Sequence, residues 1–200
     1  MGRASVGGVS DADRGEPTDG ARAGAAHAGV AADGGAGGDD LLALLAATGV
    51  EHEVVPCDPE LADTAAFCEA YGYALDDSAN TIVVAGRGDP SSHAACVLLA
   101  TTRLDVNRVV RKRLGAKKAS FADAEATVAL TGMQLGGVTP FGLPDDLPLW
   151  IDARVMRRDR VVLGGGSRDR KVLASPQILT AIGGEVVDDL ARDAPTGTGT

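Results

Sequence analysis

The first 40 positions decide how much of this chain can fold: 21 of them are Gly or Ala, and none is Leu, Ile, Phe, Tyr or Trp. Such a segment cannot bury enough apolar surface to offset the entropy of ordering it. Residues 1–40 are therefore expected to form a disordered tail. They carry neither the apolar core of a secretory signal nor the arginine-rich, acid-poor pattern of a transit peptide. About 160 of the 200 residues remain, enough for one self-sufficient core. The expected folded domain is 41–192, followed by a short disordered tail at 193–200.

No apolar run approaches the roughly 20 residues that a membrane helix needs. A cytoplasmic protein with no membrane partner is expected. Cys57, Cys68 and Cys96 are odd in number, widely spaced and outside any CxxC or Cys/His pattern, so they read as reduced thiols.

The formal charge of −9 argues against a nucleic-acid partner, but its distribution weakens the objection. Between Arg103 and Lys118 seven cations face one acid, Asp105. Between Arg154 and Lys171 seven more face Asp159 and Asp169. Two basic stretches on an acidic body are compatible with local phosphate contacts and equally with solvated surfaces.

The pattern along the chain mixes periods. Asp39-Asp40 caps a short helix beginning at Leu41, and His52–Val55 reads as a strand. Asp63–Tyr71 reads as a helix stopped by Gly72. Thr81–Ala85 and Ala94–Ala100 are β-branched or aliphatic runs joined by a Gly/Asp/Pro/Ser cluster, a hairpin of buried strands. Val106, Val109, Val110 and Leu114 make one stripe on a helix capped by Asp105. Ala119–Phe121, Leu149–Ile151, Val161–Leu163, Val172-Leu173 and Val186-Val187 read as short strands. Asp123–Leu130 and the segment from Ser175-Pro176 to Ile182 read as helices. Strands and helices do not strictly alternate, which predicts an α+β fold with a mixed, curved, barrel-like sheet and surrounding helices.

Several chemistries are missing from the sequence. There is no GxxxxGK[ST], and Gly86-Arg87-Gly88 lacks the third glycine and the helix of a dinucleotide site. His27, His52 and His93 are isolated, and no GxSxG elbow exists. No metal and no cofactor is expected. A reaction here would rest on positioning and backbone polarity.

One stretch stands out: Thr131-Gly132-Met133-Gln134-Leu135-Gly136-Gly137-Val138-Thr139-Pro140-Phe141-Gly142-Leu143-Pro144. Adjacent glycines let a backbone approach a ligand and present successive amides to it. A row of N–H groups is what a developing oxyanion needs. A tight structural turn is the alternative reading of the same residues.

This stretch, preceded by LGAKKASFA and followed by LPLWID, resembles the central signature of the YbaK/prolyl-tRNA-synthetase-associated domain family. The family's GxxxP element falls on Gly136 to Pro140. DTAAFCEAYG leading into SANTIVV, and VVLGGGSRDRKVLASP near the end, continue the likeness over roughly Val50 to Leu190. The resemblance implies a freestanding aminoacyl-tRNA deacylase that hydrolyses mischarged tRNA in trans. It implies that the amides of Gly136, Gly137, Val138, Thr139 and Pro140's loop hold the aminoacyl carbonyl. The implied partners are the tRNA acceptor end and a synthetase.

One position departs from the family. Its strand lysine, in K-[ST]-L-V, is replaced in Asn80-Thr81-Ile82, so Asn80 stands where an ammonium is expected. Losing a charge-assisted contact would cost about 1.5–3 kcal/mol. Lys117, Lys118, Arg168 or Lys171 could supply the charge from another direction. Met133, Val138, Phe141, Gly142 and Leu143 are candidate pocket residues, as are Asp152, Gly164 and Gly165. The alternative function is a non-catalytic binding module of the same fold.

Overall fold

The computed structural model describes residues 38–88, 92–133 and 135–194. The expected disorder of residues 1–37 and 195–200 lies outside them. Helix α1 (Gly38–Ala47) starts just before the expected boundary at residue 41. Strand β1 (His52–Pro56) and helix α2 (Thr64–Tyr71) follow, then the hairpin strands β2 (Ala79–Arg87) and β3 (Ser92–Leu99). Next come β4 (Thr102–Leu104), a π-turn (Val106–Val110) running into α3 (Arg111–Arg113), β5 (Lys118–Phe121) and α4 (Ala124–Thr131). The remainder is β6 (Leu149–Asp152), β7 (Val161–Gly164), β8 (Arg170–Ala174), α5 (Gln177–Ala181), β9 (Glu185–Val187) and β10 (Ala191–Asp193).

The strands form a five-stranded sheet β5-β2-β3-β6-β9, a three-stranded sheet β1-β8-β7 and the pair β10-β4. The large sheet is mixed: β5, β2 and β3 are antiparallel, while β6 and β9 run parallel to their neighbours. A parallel bridge between Ser78 and Val162 links the two larger sheets. Among the described residues the outer strands β5 and β9 pair with nothing further, so the fold is the expected α+β type with a mixed sheet, left unclosed. Both outer strands are short, and β5 begins on an exposed lysine, which discourages further pairing.

Because side chains alternate across a strand, the hairpin serves two cores. Ala79, Val97, Leu99 and Ile151 face one way, against Leu41 and Leu45 of α1, Leu163 of β7 and Ile178 of α5. Val84, Cys96, Leu98 and Trp150 face the other way, against buried Val106 and Val110, with the other two members of the expected stripe, Val109 and Leu114, packed on the same cluster and partly buried. Complete burial of a leucine or phenylalanine contributes about 1.5–3 kcal/mol. A third cluster seats Phe67 and Cys68 of α2 on Val162. It is this third contact that brings the start of α2 beside the start of β2.

Strands β4 and β10 had no sequence signal of their own. Thr102-Arg103-Leu104 and Ala191-Arg192-Asp193 are too short and too charged to read as strands, and pairing with each other makes them so. Strand β10 also runs one residue past the expected domain end at 192. Among the described residues, no helix is long and apolar enough to cross a membrane.

Candidate functional site

Strand β5 joins β2 only from Val84 to Arg87, so the earlier part of β2 leaves its outer edge open. Beside that edge lies a cleft of about 440 Å³, walled by the start of α2, the loop at Leu135–Val138 and the end of β7. Asn80, Gly136, Val138, Gly164 and Lys171 all line it. Five of the residues singled out in the sequence, from four separate segments, thus converge on one place.

Asn80 is held there by α2. Asp63 caps that helix, accepting from the amides of Ala65 and Ala66 at 3.0 and 3.4 Å. The capped helix directs the Thr64 hydroxyl to Asn80 Oδ1, to which it donates at 2.7 Å. With its oxygen engaged, Asn80 has its amide N–H groups left to offer. Thr64 lies 16 residues from Asn80, and no spacing rule announces the pair.

Lys171 enters from β8, in register with Val55 of β1. It is buried at 6% exposure, yet it lines the cleft. Nζ donates to the Ala62 carbonyl at 2.7 Å and sits 5.7 Å from the Phe67 ring centroid. Burial pushes its pKa below the ordinary 10.5, and Arg168 adds to that, while Cys57, Asp63 and Cys68 oppose it. The cleft thus carries a lysine, on a different strand from Asn80.

The glycines of the central loop are required by close packing. Helix α4 ends at Gly132 in the left-handed region (φ 69°), turning the chain back toward the sheet. A Cβ on Gly137 would sit 2.9 Å from the Cα and carbonyl carbon of Ser167. A Cβ on Gly164 would overlap the Val138 carbonyl oxygen. The loop and the β7–β8 turn thus lie backbone on backbone, and neither tolerates a side chain at the contact.

Other residues expected at the site are placed elsewhere. Arg168 lies over Gly136, and its Nη2 donates to the Pro59 carbonyl at 2.7 Å, strapping the loop to the turn before α2. Met133 and Phe141 are buried at 1% and 0% exposure and belong to the interior. Thr139 and Pro140 are buried too; the Thr139 amide faces Met133 Sδ at 3.4 Å, which fixes the loop from inside. Gly142 is exposed and does not line the cleft, and Gly165 is packed against Arg170.

Asp152 and Lys118 are the clearest corrections. Asp152 is 1% exposed and accepts from the amides of Ala191 at 2.7 Å and Arg154 at 3.0 Å. It anchors β10 and borders a separate depression with Asp188 and Asp189. Lys118 pairs in register with Arg87, seven residues along β2 from Asn80. At about 3.3 Å per residue that is some 23 Å along β2 from Asn80, and Lys118 does not line the cleft.

Residues not singled out in the sequence complete the walls. Asp63, Thr64 and Thr81 line the cleft, together with Leu75 and Leu135, which are 38% and 54% exposed. Among the described residues, no group of three or more His, Cys, Asp and Glu is placed to hold a metal ion.

An open mixed sheet whose cleft joins a double-glycine loop, a side-chain amide and a buried ammonium defines the class of domain. Residues 58–181 match the aminoacyl-tRNA editing domain, and the chain belongs to that family. The uncharacterized protein YwhH of Bacillus subtilis (strain 168) is 27% identical over 130 residues, 65% of this chain and 80% of that protein. The fold is shared with the hypothetical protein APE2540, with TM-score 0.68 and 24% identity over 76% of this chain and 99% of that one. It is shared also with a protein proposed as a trans-editing enzyme for prolyl tRNA synthetase, with TM-score 0.66 and 22% identity over 78% and 97%.

Proposed function

We propose that this cleft hydrolyses the ester of mischarged aminoacyl-tRNA in trans. The observation that carries the reading is that Lys171, Asn80 and the loop residues Gly136 and Val138 line one cleft. The loop amides are the donors for the aminoacyl carbonyl oxygen, where negative charge develops when water attacks. Lys171 supplies the positive charge for that oxygen or for the terminal phosphate of the tRNA. Asn80 offers N–H donors to the ribose or the carbonyl. Water adds to the carbonyl carbon, the ester C–O bond breaks, and the ribose oxygen leaves with a proton. The substrate's neighbouring ribose hydroxyl can relay that proton, so no acidic or basic side chain is required at the bond.

Family membership supports a deacylase-like role, and the relocated ammonium supports an active site rather than a remnant. The experiment is single-turnover incubation of the full chain with alanylated, serylated and cysteinylated non-cognate tRNAs. Loss of one ester above its spontaneous rate, slowed roughly ten- to a hundredfold by Lys171→Met, is the expected result. A second reading, a non-catalytic module that binds aminoacyl-RNA or a synthetase, is favoured by Asn80 alone. Saturable binding with no turnover on any ester would establish it instead.

A further inference from the structure

Strand β5 is an outer strand of the large sheet, and it runs along β2 away from the cleft. Its last residue, Phe121, pairs with Val84, next to the part of β2 whose edge is open. Its first residue, Lys118, pairs with Arg87 at the far end. Phe121 is 55% exposed and, among the described residues, stacks on no other ring. Lys118 and Arg87 are both exposed and stand directly opposite in register, a like-charge pair that works against the sheet. Lys117, also exposed, donates its amide to the Arg87 carbonyl at 3.3 Å, which fixes a third cation beside them. None of the three forms a salt bridge among the described residues. Protection of a sheet edge accounts for one lysine. It does not account for a second cation set against that lysine, nor for an exposed phenylalanine, which invites the pairing a lysine discourages. Cations held together call for an anion, and the ring beyond them calls for flat apolar faces. A nucleic-acid strand carries both at a regular spacing.

We infer that the edge strand β5 is the track along which the 3′ strand of an RNA leaves the cleft, with Phe121 stacking a base and Lys117, Lys118 and Arg87 holding phosphates. The inference rests on the deacylase reading above, which puts the terminal ribose beside Asn80. Phe121 stands four residues along β2 from Asn80, about 13 Å, and Lys118 seven, about 23 Å. At about 3.4 Å per stacked nucleotide, these are some four and seven nucleotides from the 3′ terminus. The ring therefore meets the unpaired end of a tRNA, and the cations meet phosphates at the start of its stem. By alternation Phe121 and Lys118 lie on opposite faces of β5, and a strand lying along the edge touches both. Asp123, close to the ring in sequence, is taken up in capping α4, where it accepts from the Ala126 amide at 2.8 Å. The chain as a whole carries −9, which repels a polyanion elsewhere and confines it to this edge. Stacking and phosphate contacts read no sequence, so the track lends affinity to any tRNA and leaves the choice of ester to the cleft.

The test follows the fluorescence anisotropy of a labelled RNA hairpin with an unpaired 3′-CCA end, titrated with the full chain over a salt series. Lys118→Glu should weaken binding about tenfold or more and make the salt dependence shallower by about one phosphate contact. Its melting temperature should hold or rise, because the like pair with Arg87 becomes an opposite one. Phe121→Ala should weaken binding about five- to a hundredfold with the salt dependence unchanged. Both variants should hydrolyse a small 3′-aminoacyl-adenosine ester at the wild-type rate and lose rate only on charged tRNA below saturation. Wild-type affinity for the hairpin in both variants would overturn the inference, as would a wild type that does not bind the hairpin at all. Binding that depends on both residues, with no hydrolysis of any ester, would leave the RNA track standing and sink the deacylase reading alone.

Discussion

The Thr64 hydroxyl donates to Asn80 Oδ1 across 2.7 Å, joining the first turn of α2 to the start of β2. The bond selects which end of the Asn80 amide is available. Removing it with Thr64→Val should lower the rate of deacylation several-fold at constant fold. The cost in stability should stay near 1 kcal/mol, the net worth of a half-buried neutral hydrogen bond. Chemical denaturation and single-turnover rates on the same preparation check both parts. Asn80→Lys should be tolerated and active, because the Thr64 oxygen can accept from an ammonium as readily as it donates to an amide.

Lys171 makes a pH prediction. Its folded pKa lies below 10.5 because burial disfavours the charged form. If the ammonium acts in the reaction, the rate should fall as pH rises through that lowered pKa, earlier than an ordinary lysine would titrate. Stability runs the opposite way. Between the folded and unfolded pKa values the unfolded chain binds the extra proton, so stability rises with pH across that window. Lys171→Arg should remove the alkaline fall in rate, since a guanidinium does not titrate there.

Replacing Lys171 by Met should separate stability from activity. Among the described residues the ammonium forms no salt bridge but donates to the buried Ala62 carbonyl, so relief of a buried charge is set against an acceptor left unpaired at about 1–3 kcal/mol, and the net change in stability should be small. Deacylation should fall roughly ten- to a hundredfold, the equivalent of one charge-assisted hydrogen bond. An unaltered rate would remove Lys171 from the mechanism.

The loop and the β7–β8 turn should fail together. Gly137→Val collides with the Ser167 backbone, and Gly164→Ala collides with the Val138 carbonyl. Backbone cannot step aside as a side-chain tip can, so each variant should lose about 1–3 kcal/mol and most of its activity. Gly136→Ala meets only the end of the Arg168 side chain, although its φ of 86° is also unfavourable for alanine. It should be the mildest of the three in a melting series.

Asp152→Ala tests a purely structural carboxylate. It leaves the amides of Ala191 and Arg154 without their acceptor, at a cost of about 1–3 kcal/mol. Deacylation per folded molecule should be unchanged. Lys118→Ala should likewise leave hydrolysis of a small aminoacyl-adenosine ester unaltered, given its distance from the cleft.

Much of the fold was legible in the chain. The hairpin of β2 and β3, the helix starts at Asp63 and Asp123, the Gly72 stop and the stripe from Val106 to Val110 follow from local rules, since each depends on neighbours within a few residues. The double-glycine loop was also legible as a place of close approach. Its contact with the β7–β8 turn was not, because nothing in Gly137 names Ser167.

What the sequence by itself determined, then, was most of the elements, though not β4 or β10, the likeness to an editing domain and the missing lysine at position 80. What only the tertiary structure decided was which of the candidate cations lines the cleft beside it. Four stood as candidates, and they are equivalent as charges. The packing of Phe67 on Val162 brings α2 and β8 to the same wall, which puts Lys171 in the cleft. The register of β5 with β2 carries Lys118 away, and the Pro59 carbonyl takes Arg168. Strand register and core packing join residues a hundred positions apart, and such long-range contacts leave no period in the sequence for a local rule to read.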